Sequence, residues 1–134
     1  MNPEFFLKGK ELYLKDGYCG TCHQQDGNGL PMSGFPPLRK SPFVLGDEET
    51  LIKIVLKGLQ GPIEVNGKKY DGQVPMTPFE GLMNDEEVAA VLSYVRSSLG
   101  NSASPITPEK VKMVREKIKD KKGFYYADEL KGGK

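Results

Sequence analysis

Apolar positions along this chain fall in short bursts of helical spacing, separated by stretches rich in glycine and proline. The first burst follows Asn2-Pro3-Glu4, a good helix start: Asn2 accepts from an orphan backbone N–H, and Pro3 gives up no needed donor in the first turn. Phe6, Leu7, Tyr13 and Leu14 give that helix an apolar side, and Gly17 reads as its stop. Gly9, four residues before Tyr13, leaves a gap on the same side through which a second helix can approach. Acids at 47–49, apolar residues at 51, 52, 54 and 55, and Gly58 predict a helix over 47–57. The strongest helix starts at Asn84, with Glu87 placed to cap back, a stripe of Val88, Val91, Leu92, Val95 and Leu99, and Gly100 as its end. Thr107-Pro108 opens another, carrying Val111, Val114 and Ile118 at i, i+3 and i+7.

Two segments break this pattern. From His23 through Pro42 the chain holds seven glycines and prolines, Pro42 included, without sustained periodicity, which predicts a long ordered loop. Loops beyond about 12–15 residues are usually functional or disordered, and the apolar content of Phe35-Pro36-Pro37-Leu38 favours a loop wrapped around something. Residues 63–70 alternate about Asn66-Gly67, the signature of a small β-hairpin. The elements thus predict an all-α domain over 1–100 with one small hairpin. Residues 101–134 form a C-terminal extension whose one amphipathic helix docks on the body, with Phe124, Tyr125 and Tyr126 as anchors.

The 134 residues fit one small domain, and no apolar run approaches the ~18–20 residues of a membrane-spanning helix. The apolar share, roughly 45% with glycine counted and tyrosine not, excludes disorder throughout. Charge is uneven: residues 1–100 hold 10 basic and 13 acidic side chains, and 101–134 hold 9 and 5. The basic residues of the extension alternate with Glu109, Glu116 and Asp120, which describes a solvated helix face rather than a nucleic-acid surface.

Both cysteines and the single histidine fall within Cys19-Gly20-Thr21-Cys22-His23. Cys-x-x-Cys-His is the attachment signature of haem c: each thiol adds across a vinyl group, and the adjacent imidazole, His23, is placed under the iron. A thioredoxin-like dithiol would need a preceding strand and a parallel βαβ frame, whereas a helix precedes this motif. Structural zinc would need a fourth ligand that no further Cys or His supplies, and a plain disulfide would leave His23 without a role. For the second axial position methionine is the candidate. Met1 is terminal, Met113 lies in the tail helix, Met32 sits on a short tether nine residues past His23, and Met83 suits a gap-filling core role. Met76 lies between Pro75 and Pro78, which stiffen the segment and aim the thioether, so His23 and Met76 are the expected iron ligands.

With these pieces in order, residues 1–100 resemble a class I (mitochondrial-type) bacterial cytochrome c: the helix with Gly9 and Tyr13, the Cys19–His23 motif, Phe35-Pro36-Pro37-Leu38, the Met76 segment, and a last helix with Val91 and Tyr94. The resemblance implies short helices wrapped around one haem c bound through Cys19 and Cys22, and a crossing of first and last helices at Gly9, Tyr13, Val91 and Tyr94. It also implies a Pro36 carbonyl accepting from Nδ1 of His23, packing of Leu38 and Phe79 on the haem, and Arg39 or Tyr70 as propionate partner. The hairpin and the tail further resemble cytochrome domains associated with quinoprotein dehydrogenases or respiratory oxidases.

The function implied is one-electron transfer between respiratory or dehydrogenase redox partners, because His/Met ligation fills both axial positions. No catalytic residue is expected. An acidic body suits transient docking to a basic patch, with an on-rate that falls with salt. The rival is a peroxidase-like or gas-binding haem site, reached if the methionine ligand is absent or labile. Haem c attachment by the same resemblance implies a periplasmic or other extracytoplasmic location, with a signal or preceding domain absent from this chain.

Overall fold

Gly9 lies where two helices touch, and the missing side chain sets how close they come. In the computed structural model, which describes residues 3–15, 18–30, 35–70 and 76–132, α1 (Pro3–Leu14) packs on α5 (Asp85–Ser97). A Cβ on Gly9 would fall on the Ala90 carbonyl and 2.9 Å from the Tyr94 Cβ. The Tyr94 ring sits between Phe6 and Tyr13, with centroids 5.3 and 5.4 Å away. Glycine thus meets Ala90 and Tyr94 more directly than Val91, which is buried in the core beside them. Asn2 and Gly17, the expected cap and stop of α1, lie outside the described residues.

The remaining elements are α2 (Cys19–His23), α3 (Pro42–Leu45), α4 (Glu48–Lys57), β1 (Ile63–Val65), β2 (Lys68–Tyr70), α6 (Pro108–Lys117) and α7 (Ala127–Gly132). Caps set most of the starts: Asp47 accepts from Thr50 N–H, Thr107 from Lys110 N–H, and Asn84 and Glu87 bond reciprocally at 2.8 and 2.9 Å. The hairpin pairs Ile63 with Tyr70 through Val65 with Lys68, around Asn66 and Gly67 at positive φ.

Three helices were not anticipated, and each is too short to show a period. Helix α2 has five residues, α3 four behind a Ser41 cap with Pro42 at its first position, and α7 six. Two expected helix ends also move inward. Helix α5 stops at Ser97 because the Asn101 side chain donates to the Val95 carbonyl at 2.9 Å and to the Leu38 carbonyl at 3.2 Å, while Leu99 and Gly100 turn the chain at positive φ. Helix α6 stops at Lys117, and Ile118 caps it while staying buried.

The chain beyond 100 shares the main core. Ser93, fully buried, exchanges two hydrogen bonds with the backbone of Ile106, and Val111 and Val114 are buried between α4, α5 and α6. Arg115 ties α6 to the Asp85 carboxylate and to the carbonyls of Glu80 and Met83. Tyr125 is buried and forms a parallel bridge to Leu59, Phe124 is half-buried, and Tyr126 is exposed. Met83 is a core residue, and Met113 is exposed.

Candidate functional site

Helix α2 is wedged against the end of α1. A Cβ on Gly20 would lie 2.8 Å from the Tyr13 carbonyl and 3.3 Å from its ring, so the position between the cysteines is filled by a residue without a side chain. The Tyr13 hydroxyl, on a fully buried ring, donates to the Gln24 carbonyl at 2.7 Å. Burial is the main reason its pKa is pushed far up, so it stays a donor. Gln24 leaves α2 at φ 70°, a left-handed conformation that this bond helps hold.

The loop after α2 folds back on it. Gly29 N–H donates to the His23 carbonyl, Leu38 and Arg39 N–H to the Gly27 carbonyl, and Leu30 bridges Phe35. This brings the Pro36 carbonyl to 2.7 Å from His23 Nδ1. A carbonyl only accepts, so Nδ1 carries the proton and Nε2 keeps the lone pair. His23 is buried, and burial lowers its pKa against the opposing pull of the Pro36 bond, which favours the neutral, ligating form.

His23 and Cys19 border a cavity of about 190 Å3 that opens to solvent. Leu51, Ile54 and Val55 of α4, Leu92 and Val95 of α5, and Ile63, Val65 and Tyr70 of the hairpin line it. Tyr18 and Phe79, with ring centroids 5.0 Å apart, border it too, as does Met76. Among the described residues no charged side chain lines it. A cavity of this kind suits a large apolar group that brings its own metal.

The expected site residues divide clearly. Cys19, His23, Pro36, Leu38, Tyr70, Met76 and Phe79 all border the cavity, and burial raises the Tyr70 hydroxyl pKa. Cys22 lies on α2, and its side chain, like Met32, is outside the described residues. Arg39 is exposed and does not line the cavity; its guanidinium packs at 2.8 Å from the place a Gly100 Cβ would take. Of the two residues expected near a propionate, only Tyr70 faces the cavity. The α4 and α5 lining went unassigned from sequence. Their apolar stripes were visible, but a stripe does not say whether it faces another helix or a cavity.

The donor set fits haem c. A thiol and a neutral imidazole share one short helix, a thioether borders the same cavity, and the walls carry hydrocarbon rather than charge.

Residues 6–99 match the family model described as Cytochrome c. The chain is 41% identical over 118 residues to a cytochrome c-552 from Thermus thermophilus, covering 81% of this chain and 85% of that protein. It is 34% identical over 95 residues to the cytochrome c subunit of a quinone alcohol dehydrogenase from Gluconobacter oxydans, covering 71% of this chain and 19% of the subunit. For the cytochrome c subunit of gluconate 2-dehydrogenase from Pantoea cypripedii the identity is 32% over 111 residues, covering 81% and 24%. The two dehydrogenase subunits are therefore several times longer than the stretch they share with this chain.

Proposed function

The chain belongs to the cytochrome c family, and on that premise we propose that it passes single electrons between redox protein partners through a haem c ligated by His23 and Met76. Membership implies a covalently attached haem c and electron transport as the general activity. The group would supply one-electron chemistry, and with His23 and Met76 both ligating it would leave no coordination site for a substrate.

The assignment of residues rests on one observation: His23, with its tautomer fixed by the Pro36 carbonyl, and Met76 border the same uncharged cavity. In this reading Cys19 and Cys22 would provide the thioether links and His23 Nε2 would ligate the iron. The Met76 sulfur would be the second ligand, and the walls from α4, α5 and the hairpin exclude water, which would limit reorganisation on electron transfer. Tyr70 is the polar contact for the cofactor's edge. Partners of the dehydrogenase type fit the relatives, and a location outside the cytoplasm fits the family's usual placement in bacteria. Among the described residues no helix is long and apolar enough to cross a membrane.

The test is the visible spectrum of the haem-loaded protein, oxidised and reduced, with and without carbon monoxide, for wild type and Met76→Ala. Sharp low-spin bands that ignore carbon monoxide in wild type, and a carbon monoxide adduct in Met76→Ala, are expected. Carbon monoxide binding to the wild type would instead favour an open, peroxidase-like or gas-binding site.

A further inference from the structure

Residues 58–60 run between two partners, and alternate backbone groups serve each. The Gly58 carbonyl accepts from Tyr125 N–H at 3.0 Å and Gln60 N–H donates to the Tyr125 carbonyl at 2.9 Å. Between them, the Leu59 carbonyl accepts from Met76 N–H at 2.8 Å. In extended chain successive peptide groups point to opposite edges, so one edge of this segment meets the C-terminal extension and the other meets Met76.

Side chains reinforce the pairing. Gly58 sits at φ +83°, and a Cβ there would strike the Met76 carbonyl and come within 2.7 Å of the Phe124 ring, so both partners close on the same glycine. The Tyr126 ring closes on Gly61 in the same way, and its hydroxyl donates to Gln60 Oε1 at 3.3 Å. Tyr125 is held in turn by burial and by the ammonium groups of Lys121 and Lys53, 4.8 and 6.0 Å from its ring centroid. On the far side of Met76 the next anchor is Phe79 N–H on the Val55 carbonyl at 2.9 Å.

We propose that residues 124–126 are a positioning element for Met76: by pairing with the outer edge of residues 58–60 they fix the Leu59 carbonyl that anchors the Met76 backbone, and so set how firmly the thioether holds the iron. This rests on the reading of Met76 as axial ligand. Without Tyr125 the segment keeps a flexible glycine and loses one of its two edges, so the Met76 backbone gains freedom and its sulfur yields more easily to a competing ligand.

The haem-loaded full chain tests this, with free imidazole as the competing ligand and the sulfur-to-iron charge-transfer band of the oxidised protein as a second readout. Tyr125→Pro removes the N–H that bonds to Gly58, whereas Tyr125→Ala keeps the ladder and loses only the ring. Both lower the unfolding midpoint. Only Tyr125→Pro is expected to weaken the band and tighten imidazole binding, by about tenfold, the worth of one backbone hydrogen bond, with Tyr125→Ala within about twofold of wild type. Equal effects of the two variants, or none, overturn the proposal. Where Tyr125→Pro gives no folded holoprotein, Phe124→Ala removes the half-buried ring on Gly58, and an unchanged band and affinity there overturn it equally. Met76→Ala separates the two readings: if it leaves band and affinity as in wild type, the ligand assignment itself fails, whereas loss of the band there beside a wild-type Tyr125→Pro sinks only the positioning role.

Discussion

His23 and Pro36 are joined by a 2.7 Å hydrogen bond from Nδ1 to the backbone carbonyl across thirteen residues of chain. The loop between them has little regular structure among its described residues, so its closure depends on a few backbone bonds and on glycines at positive φ. The bond selects the tautomer in which Nε2 keeps its lone pair free to ligate, and it raises the basicity of that nitrogen.

Gly29 is where this arrangement is most exposed to substitution. It sits at φ +70°, and a Cβ there would press on the Phe35 carbonyl and lie 2.7 Å from the Pro36 carbonyl oxygen. Gly29→Ala should cost at least the ~1–2 kcal/mol of a non-glycine residue held left-handed. It should also lengthen the His23 bond. A less basic imidazole stabilises ferric iron less, so the reduction potential should rise, which redox titration of the haem-loaded variant checks.

Gly9→Ala separates packing from propensity. In an exposed helix the change would stabilise by roughly 0.8–1 kcal/mol. Here the new Cβ meets the Ala90 carbonyl, so a net loss of about 1–3 kcal/mol is expected, as for overpacking in a tight core. Denaturant unfolding gives the sign directly.

Local chemistry written in a few neighbouring residues was legible from the sequence: the Asn84–Glu87 capping box, the Asn66-Gly67 hairpin turn, the gap at Gly9, and the five-residue motif at 19–23. Elements of four to six residues were not, because α2, α3 and α7 complete too few turns to show a period. Long-range placement also escaped. Nothing in the order of residues says that Arg39 packs on Gly100 rather than facing the cavity, or that Tyr125 pairs with the chain beside Leu59. The first of these contacts depends on where α5 ends, and Asn101 helps set that through two carbonyls, one 63 residues away.

Arg96 makes a related link and should be costly to lose. It is 5% exposed, with Nη1 donating to the Val44 carbonyl at 3.0 Å and Nε to the Ser104 carbonyl at 2.8 Å, so it ties α3 and the segment leading to α6 onto α5. Arg96→Met keeps the stem and leaves the buried Val44 carbonyl unsatisfied, for an expected loss of about 1–3 kcal/mol. Arg96→Lys should recover little, since one ammonium cannot match the spread of the guanidinium fork. Chemical denaturation of both variants checks this.

Glu49 joins α4 to α6 more weakly and with a pH signature. It accepts from Lys117 Nζ at 3.0 and 3.1 Å and pairs with Lys53 at 3.2 Å. The Lys117 bond is the largest cause that holds its carboxyl below the usual range, against a partial offset from burial. A folded-state pKa below the unfolded one means the contribution is complete above the ordinary value of about 4.3 and disappears as pH falls through the depressed folded value. Because the Lys117 side chain is 61% exposed, the contribution is a surface one of about 0.2–1 kcal/mol. Glu49→Gln should therefore destabilise by less than about 1 kcal/mol at neutral pH and low salt, and less again in concentrated salt. Wild type and variant should converge as pH falls below the carboxylate range. Urea unfolding across that range reads the difference, and a gap that persists in acid would trace the effect to packing rather than to charge.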